Sequence, residues 1–303
     1  MVKLFAMKKK ELITTIRKTL RGLGSLTKKI PETFRFLCTR KKVLLNVWIK
    51  LDNNKVSHSN LGDDLNFYII KSLSGKPLFN LSNILIQKHE NVLAIGSIIE
   101  SHTDKNSIIW GSGAMYGGDY QLREKPKKVL AVRGPLTREY LLSQDIECPE
   151  IYGDPALLLP QIYQPKVIKR YKLGVIPHYV DADSEYLLNL KNDKEVKIIS
   201  MKGYEKWQDV IDEICECEFI ISSSLHGLII SDAYNVANLW INLSDKIDGG
   251  YFKYQDYFMS VKREFTEPIK IRCKVSKTDI LKYKDLYKPI HWNPEKLIRV
   301  APF

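Results

Sequence analysis

The 303-residue chain has no run of about 18 consecutive apolar residues, which argues against a membrane-spanning helix. Its cationic start lacks the apolar stretch of a secretory signal. Cysteine is sparse: Cys38, Cys148, Cys215, Cys217 and Cys273 are odd in number and scattered. Cys215-Glu216-Cys217 lacks the two-residue gap of the usual zinc or redox pair, so no disulfide framework is expected and a reducing cytoplasm is. No His, Cys, Asp or Glu cluster stands at metal-ligand spacing, and no metal is expected. Trp110-Gly111-Ser112-Gly113 is not the G-x-G-x-x-G fingerprint and opens no clear helix, which speaks against a nicotinamide cofactor. Internal repeats and low-complexity tracts are absent too.

With 44% hydrophobic and 27% charged residues, the chain has material for two cores of ordinary domain size. Its net charge of +12 is unevenly spread. Residues 1–42 hold 13 Lys and Arg against Glu11 and Glu32, whereas the rest holds 34 basic and 33 acidic residues. The charge therefore belongs to an arm. Leu12, Ile13, Ile16, Leu20 and Leu23 share one helical face, with Lys10, Arg17, Lys18 and Arg21 pointing elsewhere. Such a basic amphipathic helix suits an anionic membrane surface; a solvated extension or a helix packed on its own domain or a partner accounts for it equally. Nucleic acid is not the expected partner, because only Phe5, Phe34 and Phe36 are there to stack on bases and no binding motif follows.

Beyond the arm, apolar strand-like runs alternate with helical patterns. Strands are expected at Val43–Ile49, Val92–Ile95, Ser107–Trp110 and Val129–Val132, with helices over Asp63–Leu73 and from Pro135 to Ser143. A second series follows Pro160-Gln161-Ile162-Tyr163-Gln164-Pro165, the best linker candidate: strands Tyr171–Ile176, Val196–Ser200, Phe219–Ile221 and Leu239–Leu243, helices Ser184–Leu190 and Trp207–Cys217. This alternation predicts an α/β protein with two Rossmann-like domains facing across a cleft, over residues 43–163 and 166–275, with a helical tail at 276–303.

The most informative segment is Ser222-Ser223-Ser224-Leu225-His226-Gly227, between an apolar strand and a helical pattern. Ligands collect at the carboxyl edge of an open α/β sheet, where the first helical amides offer free N–H groups to an anion. His226 can exchange a proton there, and Gly227 allows close approach. Asn60-Leu61-Gly62-Asp63-Asp64 occupies the corresponding junction after the first strand; Asp63 or Asp64 suits orientation or deprotonation of a sugar hydroxyl, although a charged N-cap explains these residues as well. Arg133 follows a strand and offers a planar fork to phosphate or carboxylate. Asp154, before Pro155, reads first as a turn residue. His178 lies just past the first strand of the second series, where a shared anion site with His226 becomes plausible.

Taken in order, Asn60-Leu61-Gly62-Asp63-Asp64-Leu65-Asn66, Trp110-Gly111-Ser112-Gly113, Val132-Arg133-Gly134-Pro135-Leu136-Thr137, Gly153-Asp154-Pro155-Ala156, Ile176-Pro177-His178-Tyr179 and Ser223-Ser224-Leu225-His226-Gly227-Leu228 resemble the polysaccharide pyruvyl transferases over about residues 43–260. The resemblance implies a fold like the GT-B glycosyltransferases, phosphoenolpyruvate as donor, no separate cofactor, and a sugar of a surface polysaccharide or its lipid-linked precursor as acceptor. The chemistry of such a donor then assigns the catalytic roles: His226 as general acid, Arg133 with the helix start near Gly227 holding the anions, and Asp63 orienting or deprotonating the acceptor hydroxyl. Ser223, Ser224, Leu225, Gly227, His178 and Lys202 fall on the donor side, Asn60, Gly62, Asp64 and Ser112 on the acceptor side. The family commonly has Arg immediately before Leu-His-Gly; here Ser224 stands in that place, so one anion contact is either missing or supplied by another residue such as Lys202 or Arg133. A nucleotide-sugar glycosyltransferase and a non-catalytic membrane-surface scaffold are the alternatives.

Overall fold

Short apolar runs alternating with helices build two five-stranded sheets in which every pairing is parallel. The computed structural model describes residues 26–52, 55–118, 120–264 and 267–303, so the expected helix around Leu12 to Leu23 lies outside the described residues. The strands of the first half are β1 (Val43–Leu45), β2 (Leu51–Asp52), β3 (Lys55–Val56), β4 (Leu78–Asn80), β5 (Asn91–Leu93), β6 (Ser107–Trp110) and β7 (Lys128–Ala131). Those of the second are β8 (Leu173–Ile176), β9 (Val196–Ile198), β10 (Ile220–Ser222), β11 (Asn238–Asn242) and β12 (Ile269–Lys270). The sheet orders are β4-β1-β5-β6-β7 and β12-β11-β10-β8-β9, while β2 and β3 form a small antiparallel ribbon. Strands covered on both faces need no polar alternation, which is why they read as unbroken apolar runs.

The helices are α1 (residues 26–38), α2 (Leu61–Ser74), α3 (Ile99–His102), α4 (Pro135–Leu142), α5 (Leu188–Lys191), α6 (Trp207–Cys215), α7 (Leu225–Ala233), α8 (Phe252–Ser260), α9 (Lys277–Leu281) and α10 (Pro294–Arg299). Sequence pattern located α2, α4, α6 and α7 to within a few residues. The strand expected through Ile49 stops at Leu45, because the next amide, Asn46, still donates to Val92 but the Asn46 side chain turns to the His102 carbonyl, 2.7 Å away. The helix expected over Ser184–Leu190 is a 3-10 turn, Glu185–Leu187, followed by the short α5.

The expected linker begins inside structure. Pro155–Gln161 is a 3-10 helix whose Ala156, Leu157 and Leu159 pack with Leu61, Leu65 and Ile69 of α2 and with Leu228 and Ile229 of α7. These residues share one apolar cluster, and full burial of each aliphatic side chain contributes about 1.5–3 kcal/mol. The N-termini of α2 and α7 are thereby held near each other. The last helix returns to the first sheet: Leu297 is fully buried there, and Trp110 Nε1 donates to its carbonyl at 2.9 Å.

Candidate active site

A cleft of about 840 Å³ is lined by residues of both halves. From the first come Asn46, Trp48, Asn60, Asp63, Ser97 and His102; from the second, His178, Lys202, Ser224, Leu225, His226 and Lys253.

Two helix starts furnish the reactive groups. At α2, Asn60 has extended backbone and caps no amide with its side chain; its Nδ2 donates instead to Asp63 Oδ2 at 2.6 Å. Burial outweighs that hydrogen bond and pushes the Asp63 carboxyl up to about 7, the neighbouring Asp64 adding to the rise. Asp64 turns away from the cleft. Its Oδ2 accepts from the Tyr204 hydroxyl at 2.7 Å, and Oδ1 is buried without a partner. Asn66 fixes the helix to the end of β5 by exchanging hydrogen bonds with the Ile95 carbonyl (3.0 Å) and amide (2.8 Å).

At α7, Ser222 Oγ accepts from the Ser224 amide (3.0 Å), and Ser223 Oγ accepts from the His178 amide (2.8 Å), which joins the turn after β10 to the turn after β8. Ser224, the N-cap, accepts no helix amide with its side chain. The first-turn amides thus have no capping side chain and no acid among them. His226 is largely buried. Its ring rests on α2: a Cβ at Gly62 would stand 2.1 Å from Nδ1, so only glycine fits. Its Nε2 is buried without a hydrogen-bond partner and lies 4.0 Å from Asp154 Oδ2.

Burial, then the charges of Arg133 and Lys253, hold the His226 imidazole down at about 3. Asp154 is buried and pushed up to about 7, while its Oδ1 accepts from the Ala156 amide at 2.9 Å. The turn role read from Asp154-Pro155 is present, and the second carboxylate oxygen backs the imidazole as well. Burial together with Lys253 also holds His178 down at about 4.

Seven of the site residues expected from sequence line the cleft: His226, Asp63, Asn60, Ser224, Leu225, His178 and Lys202, the last with Nζ 3.6 Å from the Tyr179 ring centroid. The others do not. Ser112 is fully buried and donates to the Ala94 carbonyl at 2.8 Å, Ser223 is spent on the turn, and Gly227 packs against Ser222 and Ile176. Gly62 is the seat of the imidazole and Asp64 a partner of Tyr204.

Arg133 requires correction as an anion fork. It is fully buried, with Nε donating to Asp256 Oδ2 (2.9 Å), Nη1 to Ser97 Oγ (2.6 Å) and Nη2 to the Ala114 carbonyl (2.7 Å). All three nitrogens are occupied, and Asp256 also accepts from the Thr137 amide and hydroxyl. The guanidinium is a strut between β7 and α8. Gly113 makes room for it, since a Cβ there would fall 2.1 Å from its Cζ.

Sequence reasoning missed Lys253, because nothing marked 252–260 as a helix. Lys253 is buried on the cleft wall, its Nζ donating to the Asp248 carbonyl at 2.7 Å, and burial brings its ammonium down to about 8. Among the described residues no group of three His, Cys, Asp or Glu is placed to hold a metal ion.

An uncapped helix start facing a carboxyl puts an anion-receptive end and a proton-exchanging group in one cleft. The chain belongs to the polysaccharide pyruvyl transferase family, whose family model matches residues 19–245. It is 28% identical over 211 residues to the succinoglycan biosynthesis protein ExoV of Rhizobium meliloti, a match covering 66% of this chain and 61% of ExoV. It is 26% identical over 226 residues to the uncharacterized protein L143 of Acanthamoeba polyphaga mimivirus, covering 72% of this chain and 74% of that one. A solved Klebsiella pneumoniae protein of uncharacterized function aligns over 79% of this chain and 98% of its own at 14% identity, with a TM-score of 0.41.

Proposed function

We propose that this transferase moves pyruvate from phosphoenolpyruvate onto two hydroxyls of a polysaccharide sugar, forming a pyruvate ketal and releasing phosphate. The observation that carries the reading is the meeting of α2 and α7 in one cleft, with the Asp63 carboxyl on one wall and the His226 imidazole and Lys253 ammonium on the other. In this reading the two halves work as Rossmann-like units in a GT-B-like pairing, the first serving the acceptor and the second the donor.

The donor carries a carboxylate and a phosphate. Uncapped amides at the start of α7 and the Lys253 ammonium receive them, and Lys202 adds charge at the rim. Burial, then the charges of Arg133 and Lys253, keeps the His226 ring neutral; the donor's anions offset those charges, so donor binding itself raises the basicity of the imidazole. The Asp154 carboxylate, 4.0 Å away, stabilises the imidazolium. His226 delivers its proton to the methylene carbon, leaving the adjacent carbon electrophilic. An acceptor hydroxyl adds there as Asp63 takes its proton, and a carboxyl pushed up to about 7 is well matched to that exchange. The bond to the phosphate oxygen then breaks, and the second hydroxyl adds to the resulting oxocarbenium and closes the ketal. Of the two hydroxyl protons lost, one is balanced by the new methyl hydrogen and the other leaves with phosphate.

The test is incubation with phosphoenolpyruvate and polysaccharide fragments, reading phosphate release and an acceptor mass gain of roughly 70 Da, pyruvate added and water lost. Both signals together support the reading. Nucleoside diphosphate released from a nucleotide sugar would replace it with glycosyl transfer, and turnover of neither donor would leave a non-catalytic scaffold.

A further inference from the structure

We propose that the outward face of α1 seats on an anionic lipid bilayer beside the mouth of the cleft. Among the described residues, helix α1 is fastened to the first sheet along one side. There Phe36 is buried with its ring edge-on to Phe79, centroids 5.2 Å apart, and Thr33 Oγ1 accepts from the Leu85 amide at 2.9 Å. On the other side Leu26, Ile30, Phe34 and Leu37 recur at i, i+4, i+8 and i+11, with exposures of 46%, 57%, 70% and 56%. Exposed large apolar side chains occur singly on any surface, but four aligned on thirteen helical residues form a stripe.

Charge decides what covers it. Residues 26–42 hold Lys28, Lys29, Arg35, Arg40, Lys41 and Lys42 against Glu32, and residues 1–25 add seven basic side chains against Glu11. A second copy docked stripe to stripe would bring two like-charged helices together, whereas a bilayer of anionic headgroups meets the same charge with its opposite and takes up the apolar stripe at the acyl boundary. Position supports the same occupant. Lys28 and Lys29 border a depression shared with Ile49, Lys50 and Ser82, and these last three also line the large cleft. A lipid surface on α1 therefore lies next to the cleft, as an acceptor sugar held on a lipid carrier requires. That last consequence rests on the proposed transferase reading; the docking does not.

The experiment is sedimentation of the full chain with phosphatidylcholine vesicles, with and without phosphatidylglycerol. Binding is expected only with the anionic lipid, is weakened by salt, and falls about tenfold or more in the double variant Ile30→Glu/Phe34→Glu. That variant should keep its melting temperature and its phosphoenolpyruvate-dependent turnover of a soluble acceptor. An environment-sensitive fluorophore on Cys38, exposed and next to the stripe, reports on the unaltered helix in a Cys273→Ser background, and its emission should shift to the blue with anionic vesicles. The proposal is overturned by any of three results: no binding to anionic vesicles, equal binding by the double variant with no emission shift, or a dimer in solution that the same substitutions dissociate. Failure of soluble-acceptor turnover would refute the transferase reading and leave the docking result standing.

Discussion

The two helix starts that meet in the cleft are opposites in their first turns. Helix α2 carries Asp63 and Asp64 there, and its cap residue Asn60 is spent on Asp63. Helix α7 carries no acid, and no side chain caps it. Each start presents a partial positive charge of about half an electron. At α2 the protein has supplied the answering charge, and at α7 the field is left for a ligand. The same strand-to-helix junction thus comes either with its charge answered or with its amides uncapped according to three or four side chains, a difference that the proposed reaction divides between acceptor and donor. The cations repeat the lesson. Arg133, at the end of β7, is consumed by Asp256, Ser97 and Ala114, whereas Lys253 on α8 faces the cleft with one carbonyl partner in the described structure.

The strongest way to break this contrast is to remove the proton carrier of α7. His226→Ala should lower kcat by about 10²- to 10⁴-fold with the fold retained, and full turnover would take the imidazole out of the reaction. Next, Asp63→Asn should cost at least about a hundredfold at pH 8 and erase the rise in kcat/KM through about pH 7 expected of the parent from ionisation of Asp63. A profile that keeps its rising limb would assign the limb to another group.

Gly62→Ala probes the contact between the starts: its Cβ would displace the His226 ring, reducing kcat by up to about a hundredfold while circular dichroism stays unchanged. Lys253→Met should raise KM for phosphoenolpyruvate by about tenfold with a smaller change in kcat, in line with loss of one charged hydrogen bond. If Arg133 rather than Lys253 grips the donor, KM will not move.

The smallest effect is on stability. The folded Asp63 carboxyl titrates above its unfolded value of 3.8, so the folded state binds the extra proton between about pH 4 and 7, and the parent loses stability as pH rises across that window. Asp63→Asn should therefore match the parent near pH 4 and gain on it steadily as pH rises to 8, as read from urea midpoints.

Much of this was legible because apolar runs and helical periodicity are local. The junction at Ser222–Gly227 carried its own signals, a buried strand, small residues and a histidine, and His226, Ser224 and Leu225 do line the cleft. The strands Leu78–Asn80 and Ile269–Lys270 were not read, since two or three residues are too few to show a period. Helix α8 was missed because Phe252–Ser260 buries polar and aromatic side chains on several sides, among them Lys253, Asp256 and Tyr257. The fate of Arg133 was out of reach for a different reason: its carboxylate partner is 123 residues away, and nothing local at either end announces the pair.

The return of α10 to the first sheet bears on how the chain is made. The Trp110 indole finds its carbonyl partner at Leu297, 187 residues later, and Trp292 Nε1 reaches the Tyr152 carbonyl at 3.0 Å. On the ribosome, the amino-terminal sheet emerges early yet waits until 187 residues beyond Trp110 before its last wall arrives. A polypeptide ending before Leu297 and released from the ribosome should therefore leave that sheet open to proteases and chaperones, while the later sheet, whose strands all end by residue 270, can still close.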